Sequence, residues 1–385
     1  MYETVSIAPC PDYDRETVRR ALAEVLAPIG GLDWVRPGMK VVIKANLVIF
    51  FKPESAATTH PMVICELTAL LRARGAEVII GDSPGGLYNA TFLERVYRAT
   101  GMYQAVEAGA QLNRDYCQKS AAFPEALALK HFSYTGYLDK ADAIINVCKL
   151  KSHGFMALSA AAKNMFGVIP GTMKPEYHYR FSRPMEFARM IVDLNHYFPP
   201  HLCICDAVVG MEGNGPTQGA PRHIGQLLAS VSPHAMDLAC AHVIGLTPAA
   251  VPTLVAAQEQ GLIPSSFAEL PTVGDFVGAV VPDFEKVIAQ SDLNFLSSSN
   301  SFFGRIVQWV ARVALGAVPE VKKKKCVGCA ICKEVCPAHA ILMQEKLPRI
   351  NRKTCIRCFC CQEFCPKGAM KVKRPLLARV LNKQK

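Results

Sequence analysis

Eight cysteines between Cys326 and Pro366 carry the clearest chemistry in this 385-residue chain. Cys326, Cys329, Cys332 and Cys336 precede Pro337, and Cys355, Cys358, Cys361 and Cys365 precede Pro366, each 29 positions after its counterpart. The run C-x2-C-x2-C-x3-C-P is therefore duplicated. Three thiolates two residues apart wrap one corner of a [4Fe–4S] cube, and the fourth cysteine of each run ligates the other cube. The expected cofactors are two [4Fe–4S] clusters, on Cys326, Cys329, Cys332, Cys365 and on Cys355, Cys358, Cys361, Cys336. Zinc sites use two C-x2-4-C pairs instead, and disulfides belong to oxidising compartments. Cys360 is an extra thiol beside Cys361; as a ligand it would break both spacings, so it is left free.

A second group of residues could bind an anion. At the two-residue period of a strand, Lys149, Lys151 and His153 share one face. Lys163 and Asn164 follow. Lys44 and Asn46, Asp82, and Glu212, Asn214 and Gly215 each come directly after another apolar run. In this reading Lys44, Asn46, Lys149, Lys151, Lys163, Asn164, Asn214 and Gly215 bind an anionic substrate, while His153, Asp82 and Glu212 supply protons. A solvated surface is the ordinary fate of lysine, so the case rests on all these residues meeting in one place. The loop Gly210–Pro216 is neither G-x-G-x-x-G nor Walker A, and a nucleotide cofactor has no support. Cys148, Cys203, Cys205 and Cys240 read as buried core thiols. His60, His178, His223 and His234 lack ligand spacing.

Short β-branched runs alternating with helical patterns must position those residues. The sequence predicts strands at Thr4–Ala8, Lys40–Lys44, Glu77–Gly81, Ala143–Cys148 and Leu202–Val209. It predicts helices at Arg15–Leu26, Pro61–Arg74, Phe155–Phe166 and Ala235–Ile244. This is an α/β fold, a mostly parallel sheet with helices on both faces, followed by a small C-terminal ferredoxin-like 2[4Fe–4S] domain. Ligands of such sheets bind beyond the carboxyl ends of the strands, which is where the candidate residues fall. The expected divisions are an α/β domain over 1–290 with a second lobe inserted near 100–140, a linker and connecting helix over 291–320, the cluster domain over 321–375 and a basic tail over 376–385.

Residues 321–375 resemble the two-cluster bacterial-type ferredoxin module. Residues 1–290 resemble the family called "domain of unknown function 362". The segments that carry this second resemblance are V-I-K-A-N-L near 42–47, T-T-H-P at 58–61, G-D-S-P at 81–84, K-L-K-S-H-G at 149–154, A-K-N-M-F-G at 162–167 and M-E-G-N-G-P at 211–216. Members often carry a ferredoxin module at the C-terminus. Membership implies neither a reaction nor a substrate.

The net charge of +11 is unevenly placed: residues 320–385 hold 17 Lys/Arg against 4 Glu, while residues 1–319 hold 26 basic and 28 acidic side chains. A basic cluster domain fits an acidic redox partner protein. No stacking-aromatic motif points to nucleic acid. No apolar run reaches the roughly 18 residues of a membrane helix, and the N-terminus shows no secretory signal; a cytoplasmic setting is expected. Three functions remain open. One is an iron–sulfur oxidoreductase passing electrons to an anionic small molecule in the α/β domain. The second is a non-catalytic electron carrier or adaptor whose α/β domain recognises a partner protein. The third is a binding or maturation protein that senses redox state through its clusters.

Overall fold

The computed structural model describes residues 2–287 and 318–373. In chain order the larger part contains β1 (Val5–Pro9), α1 (Arg15–Leu26), β2 (Lys40–Lys44), α2 (Pro61–Ala73), β3 (Glu77–Gly81), α3 (Ala90–Ala99), α4 (Tyr103–Glu107), β4 (Gln111–Leu112), β5 (Gln118–Ala122), β6 (His131–Thr135), β7 (Ala143–His153) and β8 (Ala157–Ser159). There follow α5 (Ala161–Asn164), α6 (Lys174–Arg180), α7 (Pro184–Tyr197), β9 (Leu202–Glu212), β10 (Ala220–Ser230), α8 (Pro233–Val243), α9 (Pro252–Glu259) and β11 (Thr272–Val273). Of the linker and connecting helix expected over 291–320, residues 291–317 lie outside the described residues, as does the tail expected over 376–385.

One sheet runs β11-β1-β10-β9-β7-β2-β3-β4, with β8 paired to β7. The pairs β9/β7, β7/β2, β2/β3, β3/β4 and β1/β11 are parallel; β1/β10, β10/β9 and β7/β8 are antiparallel. The sheet is thus mixed and mostly parallel, with helices on both faces. Local chemistry sets the helix starts: the Asp14 carboxylate accepts from the backbone N–H of Glu16 and Thr17, and Pro61 and Pro233 open α2 and α8, where a missing N–H is harmless. The hairpin β5/β6 forms a separate two-stranded sheet in the region of the expected inserted lobe.

Two stretches depart from the sequence reading. The expected helix Phe155–Phe166 does not form. Instead β7 continues to His153 and folds back on β8, pairing Lys151 with Ser159 and His153 with Ala157. Nδ1 of His153 accepts from the N–H of Phe155 and Met156 at 3.1 and 3.2 Å. These bonds close a turn where helical periodicity was expected, and only the short α5 remains. The long antiparallel β10 was not expected either. Pro221 and Gly225 interrupt its pattern; Gly225 has φ +73° beside a register shift between His223 and Gln226, and such a bulge hides a strand from period-two counting.

The C-terminal module holds β12 (Val318–Val321) paired with β15 (Met370–Lys373), and β13 (Ile341–Gln344) paired with β14 (Leu347–Ile350). Two single-turn helices, Ile331–Glu334 and Cys360–Glu363, occupy equivalent places in its halves. The module docks on the α/β domain: Phe359 and Val372 join the main hydrophobic core. The Gln362 side chain donates to Asn214 O, and the Gln218 side chain donates to Gln362 O, both at 2.9 Å.

Candidate functional site

The carboxyl ends of β2, β3 and β7 meet α5, α6 and the docked module around a cavity of about 80 Å³. Its lining includes Asn46, Asp82, Lys151, Lys163, Asn164 and Phe166, together with Lys174, His178, Glu363 and Phe364. That volume exceeds the space one water needs several-fold.

Buried polar groups build the floor. Lys44 Nζ lies 2.7 Å from Asp82 Oδ1 and donates to Ala45 O and Asn164 Oδ1 at 2.7 and 3.2 Å. The other oxygen of Asp82 accepts from Leu47 N at 2.8 Å. Asn164 accepts from Asn46 Nδ2 at 3.0 Å and donates to Asn146 Oδ1 at 2.7 Å, so the two asparagines stitch β2, β7 and α5 together. Gly167 must be glycine: a Cβ there would sit 2.2 Å from Asp82 Oδ1 and 2.4 Å from Lys44 Nζ.

Lys151 is 1% exposed and donates to Asn46 Oδ1 at 2.7 Å and Ala57 O at 2.8 Å, with no carboxylate beside it. Burial first, then Lys163 and Lys149, push its pKa down to about 7. Burial also lowers Lys163, and lowers Lys174 to about 8. Among the described residues Lys163 has no hydrogen-bond or ion-pair partner; its Nζ lies 5.8 Å from the Phe166 ring centroid. Lys174 Nζ donates to Ser83 O. His178 is buried with Nδ1 unbonded, stacked on Phe187 at 4.6 Å, and burial holds it neutral with a pKa near 3.

Lys149 leaves this group. Its Nζ sits 2.9 Å from Asp206 Oδ2 and donates to the Tyr13 hydroxyl at 2.7 Å, and Tyr13 donates to Asp206 Oδ1 at 2.8 Å. His153 points into the domain seam instead of the cavity. With Nδ1 accepting, its proton is on Nε2, 3.1 Å from Glu363 Oε1. Burial and Lys163 lower its pKa to about 4. Burial raises the Glu363 carboxyl, but the His153 bond and Lys163 outweigh this and hold it well below the usual range. The Asn214–Gly215 loop belongs to the seam as well: Asn214 O takes the Gln362 amide, and Gly215 N donates to Ser152 Oγ. Glu212 falls outside the group altogether, because it ends β9 with Oε2 accepting from Glu285 N at 3.0 Å and Oε1 4.0 Å from Arg222.

Sequence reasoning passed over four lining residues. Lys174 and His178 stand four apart on α6, hence on one helix face, a signal that was available. Glu363 and Phe364 lie inside the second cysteine run, and nothing in their spacing says that the module turns them toward the α/β domain.

The cysteines fall into two sets. Cys336, Cys355, Cys358 and Cys361, with Cys360, line a void of about 20 Å³ inside the module, so cysteines of both halves of the duplication meet there. Cys332 packs with Cys365 and Cys326, and its thiol is pushed up to about 11 by burial, then by Cys365, Cys326 and Cys329. Among the described residues no three His, Cys, Asp or Glu side chains converge as a single metal ion would require. Cys329 is exposed, whereas Cys358 and Cys361 are buried. The exposed Cys329 puts one edge of the first set at the surface, while Cys358 of the second set packs with Phe364. Cys360, wholly buried, packs with Cys358 and Phe364.

An α/β domain whose strand ends meet a module with a duplicated four-cysteine run defines an iron–sulfur protein with a ferredoxin-type domain; residues 319–366 match the model described as "4Fe-4S dicluster domain". The chain belongs to the family described as "Domain of unknown function (DUF362)", whose model matches residues 41–242. It is 31% identical over 275 residues to the thylakoid-associated protein sll1697 of Synechocystis, covering 70% of this chain and 83% of that one. The lactate racemase apoprotein from Thermoanaerobacterium thermosaccharolyticum matches with a TM-score of 0.35 and 12% identity. That match covers 55% of this chain and about half, 51%, of the other. No helix among the described residues is long and apolar enough to cross a membrane.

Proposed function

We propose that the chain is a cytoplasmic iron–sulfur oxidoreductase that passes electrons from an acidic redox protein to an anionic small molecule held between its two parts. The observation that carries this reading is the shared lining of the cavity: Lys151, Lys163 and Lys174 come from the α/β domain, Glu363 and Phe364 from the module. Glu363 is two residues from Cys361, and Phe364 packs with Cys358.

Cys326, Cys329, Cys332 and Cys365 hold the outer cluster, and Cys355, Cys358, Cys361 and Cys336 the inner one. Two [4Fe–4S] clusters bound there supply one-electron transfer. The exposed Lys322–Lys325 run beside the outer set steers an acidic partner. At the other end, Lys151, Lys163 and Lys174 orient the anion and offset negative charge gained on reduction. Lys163 Nζ presents a proton to the cavity. His153 is a positioning residue that holds Glu363 in the lining.

The test uses anaerobically reduced holoprotein and pairs of small acceptors, anionic and neutral, matched in potential. Faster reoxidation by the anionic member, lost in Lys151→Ala, supports the reading. Rates independent of acceptor charge and of Lys151 favour the electron-carrier function instead.

A further inference from the structure

The donors left over in the cavity specify the ligand further. An ammonium has three N–H donors and no acceptor. Lys44 uses two, on Ala45 and Asn164, and forms an ion pair with Asp82. Lys151 uses two, on Asn46 and Ala57, and Lys174 uses one, on Ser83. Lys163 uses none among the described residues. His178, in the same lining, makes no side-chain hydrogen bond among the described residues, and with Nδ1 sealed off its Nε2 is the ring nitrogen left for a ligand. Two carboxylates face these groups, and both are engaged: Asp82 with Lys44 and Leu47, Glu363 with His153. With every lysine protonated, the state an anion favours, four ammonium groups against two carboxylates leave two positive charges uncompensated.

We propose that the cavity takes a small dianion bearing carboxylate, phosphate or sulfate oxygens, held by Lys151, Lys163 and Lys174 with His178 as a further hydrogen-bonding contact. This rests on the anion-binding reading above and adds the charge, the size and a residue to it. A buried charge is costly unless it is paired, and a monoanion would leave one ammonium uncompensated. The size follows from the walls: Ile49, Phe166 and Phe364 bound a space of about 80 Å³, several waters' worth. His178 cannot swing away to bond elsewhere, because Phe187 stacks on it and Phe155 and Phe166 meet it edge-on at 5.8 and 5.6 Å.

Equilibrium binding to anaerobically purified holoprotein at pH 7, with sulfate, malonate, acetate and nitrate as probes, tests this. The proposal expects sulfate or malonate to bind at least tenfold tighter than either monoanion, and the better of the two identifies the oxygens read. Lys163→Gln and His178→Ala should each weaken that dianion at least tenfold with iron content unchanged. His178→Gln, which keeps a polar atom and fills the space, should weaken it less than His178→Ala. Acetate or nitrate binding as tightly as the dianions, in a Lys163-dependent way, would overturn the dianion assignment and leave the anion site standing. Binding indifferent to Lys163 and His178 would overturn the location. Failure of every probe to bind would overturn this inference together with the anion-binding reading beneath it.

Discussion

Lys149 and Lys151 stand two residues apart on β7, each 1% exposed, and they serve two different regions. Around Lys149 the accounts close: Asp206 takes its ammonium, the Tyr13 hydroxyl and the N–H of His60 at 2.9 Å, and the His60 ring stacks on Tyr13 at 3.6 Å. Around Lys151 they do not, since Lys163 and Lys174 add like charge and the nearest carboxylates are engaged elsewhere. Burial alone therefore does not mark a functional lysine. A cation whose charge and hydrogen bonds are met inside the protein supports the fold, and one whose charge is left over waits for something from outside.

The largest effect should come from breaking the closed region. Asp206→Ala strands the Lys149 ammonium, and removing one partner of a buried pair costs about 3–5 kcal/mol. Denaturant unfolding should show that loss, whereas Lys163→Met, measured without anion, should leave stability unchanged or raise it because a half-buried unpaired charge disappears. Equal losses for both variants would erase the distinction.

Next in size is a pH effect. Lys151 falls from the ordinary 10.5 to about 7 through burial, Lys163 and Lys149, opposed by Glu363 and Cys148. Between those values the folded chain binds fewer protons than the unfolded chain. The cost of the buried lysine is thus fully present below pH 7 and relieved as pH rises toward 10.5. A bound anion favours the charged form. Its affinity should fall as pH rises from 7 to 9, by up to about tenfold per unit for one proton taken up; titrations at three pH values check this, and a flat profile contradicts it.

The smallest effect belongs to Glu212→Gln. It keeps an oxygen able to accept from Glu285 N and removes the charge that faces Arg222 at 4.0 Å, worth about 1 kcal/mol or less, and should leave anion affinity unchanged in the same binding assay.

Much of this was legible in the sequence. The duplicated cysteine run pointed to a 4Fe-4S dicluster module by spacing alone, because a cubane needs three local thiolates and one from elsewhere. The parallel strands β2, β3 and β7 showed as apolar runs, and polar residues at their ends pointed to the rim. What was hidden depended on direction. Strand periodicity put Lys149, Lys151 and His153 on one face, and a shared face did not give a shared neighbour: a register shift between Lys149 and Lys151 and the turn after His153 sent the three to different partners. Docking of the module, which brings Glu363 and Phe364 to the cavity, depends on surfaces far apart in the chain.

The central claim is that an anion in the cavity sits closer to the inner cysteine set, whose Cys358 packs with the lining residue Phe364, than to the exposed Cys329 edge of the outer one. Potentiometric titration of the holoprotein, followed by electron paramagnetic resonance with and without saturating dianion, tests it most directly. Added negative charge disfavours gaining an electron nearby, so the inner cluster's potential should move negative while the outer cluster's stays in place, and Cys336→Ala should remove the responsive signal. Equal shifts in both clusters, or none with the dianion bound, would contradict the account.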